Sequence, residues 1–373
     1  MNNNTTVYIG MDVHKGSFTI CSLPESEEEP RNVQTIASDY LLVLKYINKL
    51  RERYGEETKF VCGYEAGCLG YSLYHSLTDS GQKCVILAPT TMAVEGGKKH
   101  IKTDKRDAKN IAKCLRNHTY KAVHIPTEED DRIKEYIRMR DDIKANLKRI
   151  KQQILSFCLR HGLVYSATKH HWTQAHMKWL EELKLEGLYQ EVLDGYLVEL
   201  RHLIDTIDRY DKRIEELSQG DSYQEPVNKL TCFLGVKRLT ALAILVEVSD
   251  FNRFPTAEQF AAYLGIVPGE HSSAEGRNRL GITKAGNAHV RTLLTEAAQS
   301  FGRGKVGYKS KALAKRQEGN PTRVIAYADR ANERLRRKYY RLIAHGKQSN
   351  VAKTAVAREL GCFMWGMMTG HIN

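Results

Sequence analysis

Four carboxylates in the first third of the chain have the types and spacing of a centre that works on phosphate. Asp12 ends the apolar, β-branched run VYIGMDV, a place where burying a carboxylate costs several kcal/mol unless a cation or hydrogen bonds compensate it. Glu65 ends a second such run, FVCGYE, and Asp104 and Asp107 stand three apart at the start of a helical pattern, so both project from one face. Brought together, these four groups repel one another unless a divalent cation lies among them, and an oxygen donor set suits Mg²⁺ or Mn²⁺. Two such ions about 3.5 to 4 Å apart would clamp the attacking and leaving oxygens of a phosphodiester. Each residue also has a local explanation: Asp104 can cap a helix starting at Lys105, and Asp12 can bond to the turn at Lys15 and Gly16. The order Asp, Glu, Asp-x-x-Asp on strand, strand and helix sets the group above those local readings. Lys102, Lys105, Arg106 and Lys109 surround the paired aspartates and suit a phosphate backbone approaching metal.

The elements that must position these residues alternate in type. Strands are predicted at 7–13 and 17–23 around a Lys-Gly turn, with a weaker run at 32–36. A helix at 41–50, a strand at 59–65, a helix at 69–79, a strand at 83–88 and a helix at 105–117 follow. Three early strands and then alternating helix and strand is an α/β layout, and this order is that of a ribonuclease-H-like domain over residues 1–124. In such a sheet the strands ending at Asp12 and Glu65 are neighbours.

From about Glu128 the pattern becomes helical. Ile143, Leu147, Ile150, Ile154 and Phe157 recur at alternating steps of four and three, as do Leu193, Leu197, Leu200, Ile204 and Ile207. Residues 125–222 therefore read as a coiled-coil-like arm, folded back on itself or paired with another subunit, or as an amphipathic pair lying on the globular part. SQGDSYQEP, 218–226, reads as a hinge into a mostly helical third region, 223–373. That region opens with two apolar helices around Gly235, the outline of a helix-hairpin-helix whose turn offers N–H groups to phosphate, with Lys237 where a second glycine usually stands. A helix at 257–264, a polar, glycine-punctuated basic loop at 265–287 and a helix from 288 to about 301 follow. A loop of that length between helices is uncommon without a function.

Charge points to a polyanion partner. The 57 lysines and arginines exceed the 44 acidic residues by 13, and nearly all of that surplus falls in residues 301–373, with 16 basic residues against 4 acidic ones. Much of it is in RANERLRRKYYR, where Tyr339 and Tyr340 are interleaved with the cations and Tyr327 lies upstream. A solvated helix face is the plain alternative. The longest apolar run, Ala241 to Val246, is too short for a membrane span, and the start MNNNTTVYIG is unlike a secretory leader. The eight cysteines show no C-x-x-C spacing and sit mostly in apolar stretches, as in a reduced cytoplasmic protein without zinc.

Taken together, YIGMDVHK, GYEAG, KTDKRDAKNIA, FLGVKRLTALAI and QFAAYLGIVPGEHSSAEGRNRLGITKAGNAHVR resemble, over nearly the full length, the bacterial insertion-sequence transposases of the IS one-ten type and the related Piv-type DNA invertases. The resemblance implies a RuvC-like first domain with a DEDD acidic set, a helical arm, and a smaller C-terminal transposase domain with a catalytic serine. It makes Asp12, Glu65, Asp104 and Asp107 the catalytic metal ligands. It places the nucleophile at Ser273, the fifth residue after the proline of PGEHSS, with adjacent Ser272 as the fallback. Arg277, Arg279 and Lys284 would stabilise charge on the phosphoryl oxygens, His271 is a candidate base, and Lys237 joins the nucleic-acid contacts. The resemblance also implies double-stranded donor and target DNA and a structured guide RNA that pairs with both; a homo-oligomer is expected because the two sites lie in different domains and synapsis of two duplexes needs more than one subunit.

The expected function is thus a metal-dependent DNA recombinase that cleaves through a phosphoserine link and religates to a new partner. Four other readings differ in their tests. A site-specific DNA invertase would invert a segment rather than insert an element, and a Holliday-junction nuclease would hydrolyse with water and not need Ser273. An actin-like ATPase, suggested distantly by IGMDVHKGS, would hydrolyse nucleotide without DNA. A non-enzymatic scaffold would tolerate loss of all four carboxylates.

Overall fold

The computed structural model describes residues 5–67, 69–92, 103–273 and 276–372, with backbone alone at 90 and over 270–280; Lys102 lies outside the described residues. The chain divides into two compact units, Met1–Ile125 and Pro126–Asn373.

The first unit is built on a five-stranded mixed sheet. In chain order it holds β1 (Thr6–Val13), β2 (Ser17–Pro24), β3 (Arg31–Ala37), α1 (Tyr40–Tyr54), β4 (Lys59–Glu65), α2 (Ser72–Asp79), β5 (Lys83–Leu87) and α3 (Asp104–Asn117). The strands lie in the order β3-β2-β1-β4-β5, with β1 to β3 antiparallel and β1, β4 and β5 parallel. β1 is central and buried on both faces. Val7, Ile9 and Met11 meet the core that includes Val43, Ile47 and Leu50 of α1, whereas Tyr8 shares the opposite core with Ala108, Ile111, Ala112 and Leu115 of α3. Those four α3 residues recur at helical spacing and form the stripe that lies on the sheet. Gly10 lets them approach: a Cβ there would stand 2.1 Å from the Ala108 carbonyl oxygen.

The second unit is helical apart from one hairpin. It comprises α4 (Glu128–Arg160), α5 (Gln174–Glu182), α6 (Leu188–Leu217), α7 (Gln224–Leu230), α8 (Arg238–Val248), α9 (Ala257–Tyr263), β6 (Pro268–Ser273), β7 (Gly276–Ile282), α10 (Ala288–Ala298), α11 (Lys311–Gln317), α12 (Thr322–Ala344) and α13 (Ser349–Met368). α4 and α6 run antiparallel, since Phe157 meets Tyr196 while Arg140 holds Asp211. Ile150, Ile154 and Phe157 pack with Leu193, Leu197, Leu200 and Leu203 in a seam that Leu180 of α5 completes. α8 is buried on every side from Ala241 to Val248, which accounts for the longest apolar run in the sequence.

Three expectations change. The segment 265–287 is not a loop throughout, because β6 and β7 pair as an antiparallel hairpin. Its Gly, Ser, Asn and Arg residues lack the apolar alternation that marks a strand, so the backbone ladder alone defines it. The stretch 218–226 is a packed turn: Ser218 and Tyr223 are buried, and Tyr223 donates to Asp130 Oδ1 at 2.7 Å. Tyr327 and Tyr339 of the basic segment are core residues, and Tyr340 alone of the three is exposed.

Candidate active site

The acidic site is assembled at the end of β1. Met11 pairs with Tyr64, the last rung between β1 and β4, so Asp12 and Glu65 follow as the next residues of adjacent parallel strands. Side chains alternate along a strand, which puts both on the side of Gly10 and Gly63, the face that α3 covers. Gly63 repeats the close approach, since a Cβ there would meet Leu115 at 2.8 Å. α3 begins at Asp104, with Asp107 also in its first turn. Asp104 is thus the first helical residue rather than the cap, and Thr103 stands at the cap without a side-chain bond.

The geometry at Asp12 sets the chemistry. Burial pushes its carboxyl above the ordinary value, the charges of Asp104 and Asp107 push the same way, and His14 opposes them. Among the described residues Asp12 Oδ2 is buried and makes no well-formed hydrogen bond, so it is not spent on the turn at Lys15 and Gly16. His14 Nε2 stands 3.3 Å from Asp12 Oδ2 and 3.8 Å from Asp104 Oδ1. One donor atom each from Asp12, His14 and Asp104 lies within 4.8 Å of the others. Glu65 is exposed on the neighbouring strand end and is not part of that triplet. A partly buried carboxylate oxygen with no hydrogen, other carboxylates in electrostatic reach and an imidazole nitrogen together fit a divalent cation. Sequence reasoning missed His14, whose signal was its position two residues after Asp12.

The serine segment is equally defined by its backbone. Ser273 is the last residue of β6 and pairs with Gly276, whereas Ser272 pairs with Arg277 and Glu270 with Arg279. The register therefore sets the two arginines opposite Ser272 and Glu270, not opposite Ser273. At the hairpin base Thr283 N–H donates to Val267 O, Lys284 N–H to Gly265 O and Asn287 N–H to Tyr263 O. Gly286, at φ 111°, passes so close that a Cβ would stand 1.9 Å from the Tyr263 carbonyl oxygen. Lys284 and Lys237 are exposed, the first in the left-handed region at φ 56° and the second at the cap of α8. Lys105 is exposed on the first turn of α3 and Arg106 is half-buried beside it. Leu234 N–H in the turn before α8 donates to Asn332 Oδ1 at 2.8 Å, so that donor is taken up within the protein.

A partly buried ionic network, absent from the sequence reading, joins α4, α8 and α10 beside this base. Arg138 donates twice to Glu247, at 2.9 and 3.1 Å, and Asn287 Nδ2 donates to the same carboxylate at 2.8 Å. His289 Nδ1 lies 2.9 Å from Glu247 and its Nε2 2.9 Å from Asp141. With carboxylates on both ring nitrogens the ring holds both protons, and bonds to Asp141 and Glu247 raise His289 to about 9 against the cost of burial. Burial raises the Glu247 carboxyl, but the bonds from His289, Arg138 and Asn287 outweigh it and bring the group down to about 2.

Comparison with known proteins agrees over both units. Residues 9–161 match a transposase model of the IS110 DEDD type, and residues 227–312 match the Transposase IS116/IS110/IS902 family. The chain is 35% identical over 304 residues to the putative transposase y4qE of Sinorhizobium fredii, covering 82% of this chain and 74% of that one. It is 33% identical over 343 residues to the transposase for insertion sequence element IS1533 of Leptospira borgpetersenii, covering 90% of this chain and 96% of the relative. A transposase for IS1111A of Coxiella burnetii is 24% identical over 302 residues. On these matches the chain belongs to the IS110 family of insertion-sequence transposases.

Proposed function

We propose that the protein moves DNA by metal-dependent strand cleavage and exchange, with Asp12, Glu65, Asp104 and Asp107 holding Mg²⁺ or Mn²⁺ and Ser273 as the nucleophile. The observation that carries the metal role is the unsatisfied Asp12 Oδ2 facing Asp104 and His14 at the strand end. A divalent ion there stabilises negative charge on phosphoryl oxygens. Ser273 Oγ loses its proton and attacks phosphorus; one backbone P–O bond breaks, and its oxygen leaves as a hydroxyl after taking up a proton. The phosphoserine link conserves the phosphodiester, and the hydroxyl of a new strand reverses the step and releases the serine. Lys105, Arg106, Lys237, Arg277, Arg279 and Lys284, together with Lys102, contribute cations for the nucleic-acid backbone.

In this reading residues 1–124 form the catalytic domain, 125–222 an arm with coiled-coil character folded back on itself, and 223–373 the domain that carries the serine. A structured RNA guides the reaction, which is consistent with the basic C-terminal fifth and leaves target choice to base pairing. The test is strand exchange on supercoiled DNA carrying the element ends, with the RNA that co-purifies, in Mg²⁺. Ser273→Ala should abolish both exchange and the covalent DNA adduct, and Asp12→Asn should abolish exchange without loss of fold. Exchange that survives Ser273→Ala but not Ser272→Ala moves the nucleophile by one residue, and hydrolysis that survives both favours the water-using nuclease.

A further inference from the structure

His14 has no role in the carboxylate set, yet its ring Nε2 stands 3.3 Å from Asp12 Oδ2. We propose that His14 is a nitrogen ligand of the metal held by Asp12 and Asp104, which makes the centre a mixed nitrogen and oxygen site that favours Mn²⁺ over Mg²⁺. The inference rests on the reading that the carboxylates hold metal.

Position and geometry support it. β1 ends at Val13, and the His14 N–H bonds to Ser17 O at 3.0 Å, so the hairpin turn fixes the His14 backbone. Two residues beyond Asp12, the ring extends over the side of the sheet from which Asp12 projects. Nε2 then stands 3.3 Å from one carboxylate oxygen and 3.8 Å from another. At that separation Asp12 Oδ2 makes no well-formed hydrogen bond among the described residues. A cation about 2.1 Å from each of two adjacent ligands separates them by about 3 Å, so these spacings need only a small contraction to become edges of a coordination shell. The ring is half-exposed, at 54%, and has room to turn toward an ion. Imidazole binds first-row transition ions far better than Mg²⁺, which keeps oxygen ligands and water, and Mn²⁺ is the transition ion most at home among carboxylates.

The full-length chain, titrated with Mn²⁺ and with Mg²⁺ in competition, supplies the test by calorimetry and by pulsed electron paramagnetic resonance of the bound Mn²⁺. A directly ligated nitrogen gives a hyperfine coupling, which should change nuclear signature when the chain is grown uniformly in nitrogen-15. That arm needs no substitution and is immune to misfolding. His14→Ala should lose the coupling and lower the preference for Mn²⁺ over Mg²⁺ by about tenfold or more, while Asp12→Asn should lose the bound ion. Bound Mn²⁺ without nitrogen coupling, or an unchanged preference in His14→Ala, overturns the role of His14 and leaves the carboxylate reading standing. Failure of the wild-type chain to bind Mn²⁺ or Mg²⁺ at millimolar concentration overturns both.

Discussion

If Asp12 holds metal as proposed, it sets stability against function at a single residue. Its carboxylate is partly buried, makes no well-formed hydrogen bond at Oδ2 among the described residues and has Asp104 and Asp107 in electrostatic reach; His14 offsets only part of this, so without metal the ionised group opposes folding. Asp12→Asn removes the negative charge at nearly constant volume. The metal-free variant should melt higher than the metal-free wild type, by about 1 kcal/mol or roughly 2 to 4 °C. Mg²⁺ or Mn²⁺ should then raise the melting temperature of the wild type but not of the variant, which parallel thermal scans with and without ion would show. A lower melting temperature for the variant would mean that the His14 contact outweighs burial and carboxylate repulsion and that Asp12 is not held ready for a cation. The carboxylates were legible in the sequence because each sits at a strand end or helix start that alternation and helical spacing reveal. His14 was not, since its relation to Asp104 depends on how α3 crosses the sheet.

At the level of elements, the site depends on how closely α3 meets β1. Gly10 is where that contact is decided: its missing Cβ makes room for the Ala108 carbonyl, and backbone cannot yield as a side-chain tip can. Gly10→Ala should destabilise the first unit by about 3 kcal/mol and displace Asp104 and Asp107 from Asp12, so calorimetry should find metal binding weakened along with the melt. Gly16→Ala, where nothing lies within 4 Å of the added atom, should change neither. In the second unit the Glu247 network does comparable work, holding α4, α8 and α10 together where the serine hairpin is rooted. His289 is raised to about 9, so its contribution is complete below the ordinary histidine value near 6.5 and disappears as pH rises through about 9. Glu247 is lowered to about 2, so its contribution is complete above about 4.5 and disappears as pH falls through about 2. Stability of this unit should therefore be greatest from about pH 4.5 to 6.5 and decline toward 9; His289→Gln should flatten that alkaline decline in melts recorded across the range. Glu247→Gln removes the charge that Arg138, Asn287 and His289 share and should cost about 1 to 3 kcal/mol. None of this was readable from sequence, because His289 and Asp141 are 148 positions apart and Arg138 and Glu247 are 109 apart. The strand-helix order of the first unit was readable, since it follows from local periodicity, whereas the β6–β7 hairpin was hidden by its polar composition.

For the molecule as a whole, the surplus of positive charge has an address. Arg330, Arg334, Arg337 and Arg341 are exposed at steps of four, three and four along α12, while Tyr327, Ala331, Leu335 and Tyr339 on its other side are buried. The same four arginines line an open cavity of about 720 Å³ with Lys338, Glu333 and Glu359. Arg336 does not belong to this stripe: it is buried and donates to the carbonyls of Lys305 and Tyr308. A stripe of cations spaced along one helix face suits successive phosphates of a nucleic-acid backbone, which it would bind without reading sequence. Glu359 already holds Arg334 and Lys338, and Glu333 holds Arg337, so part of the charge is neutralised before any ligand arrives. Changing all four arginines to glutamine keeps a polar side chain at each position and removes four charges, yet should lower the salt dependence by fewer than four counterions. Binding of a duplex, followed by fluorescence anisotropy between about 50 and 200 mM salt, should lose roughly 2 to 3 from the slope of log affinity against log salt. The loss should be similar for unrelated sequences, because phosphate contacts carry no base identity. An unchanged slope would place the nucleic-acid path elsewhere and leave α12 as a solvated helix face, whereas a loss confined to one sequence would mean that these arginines reach the bases.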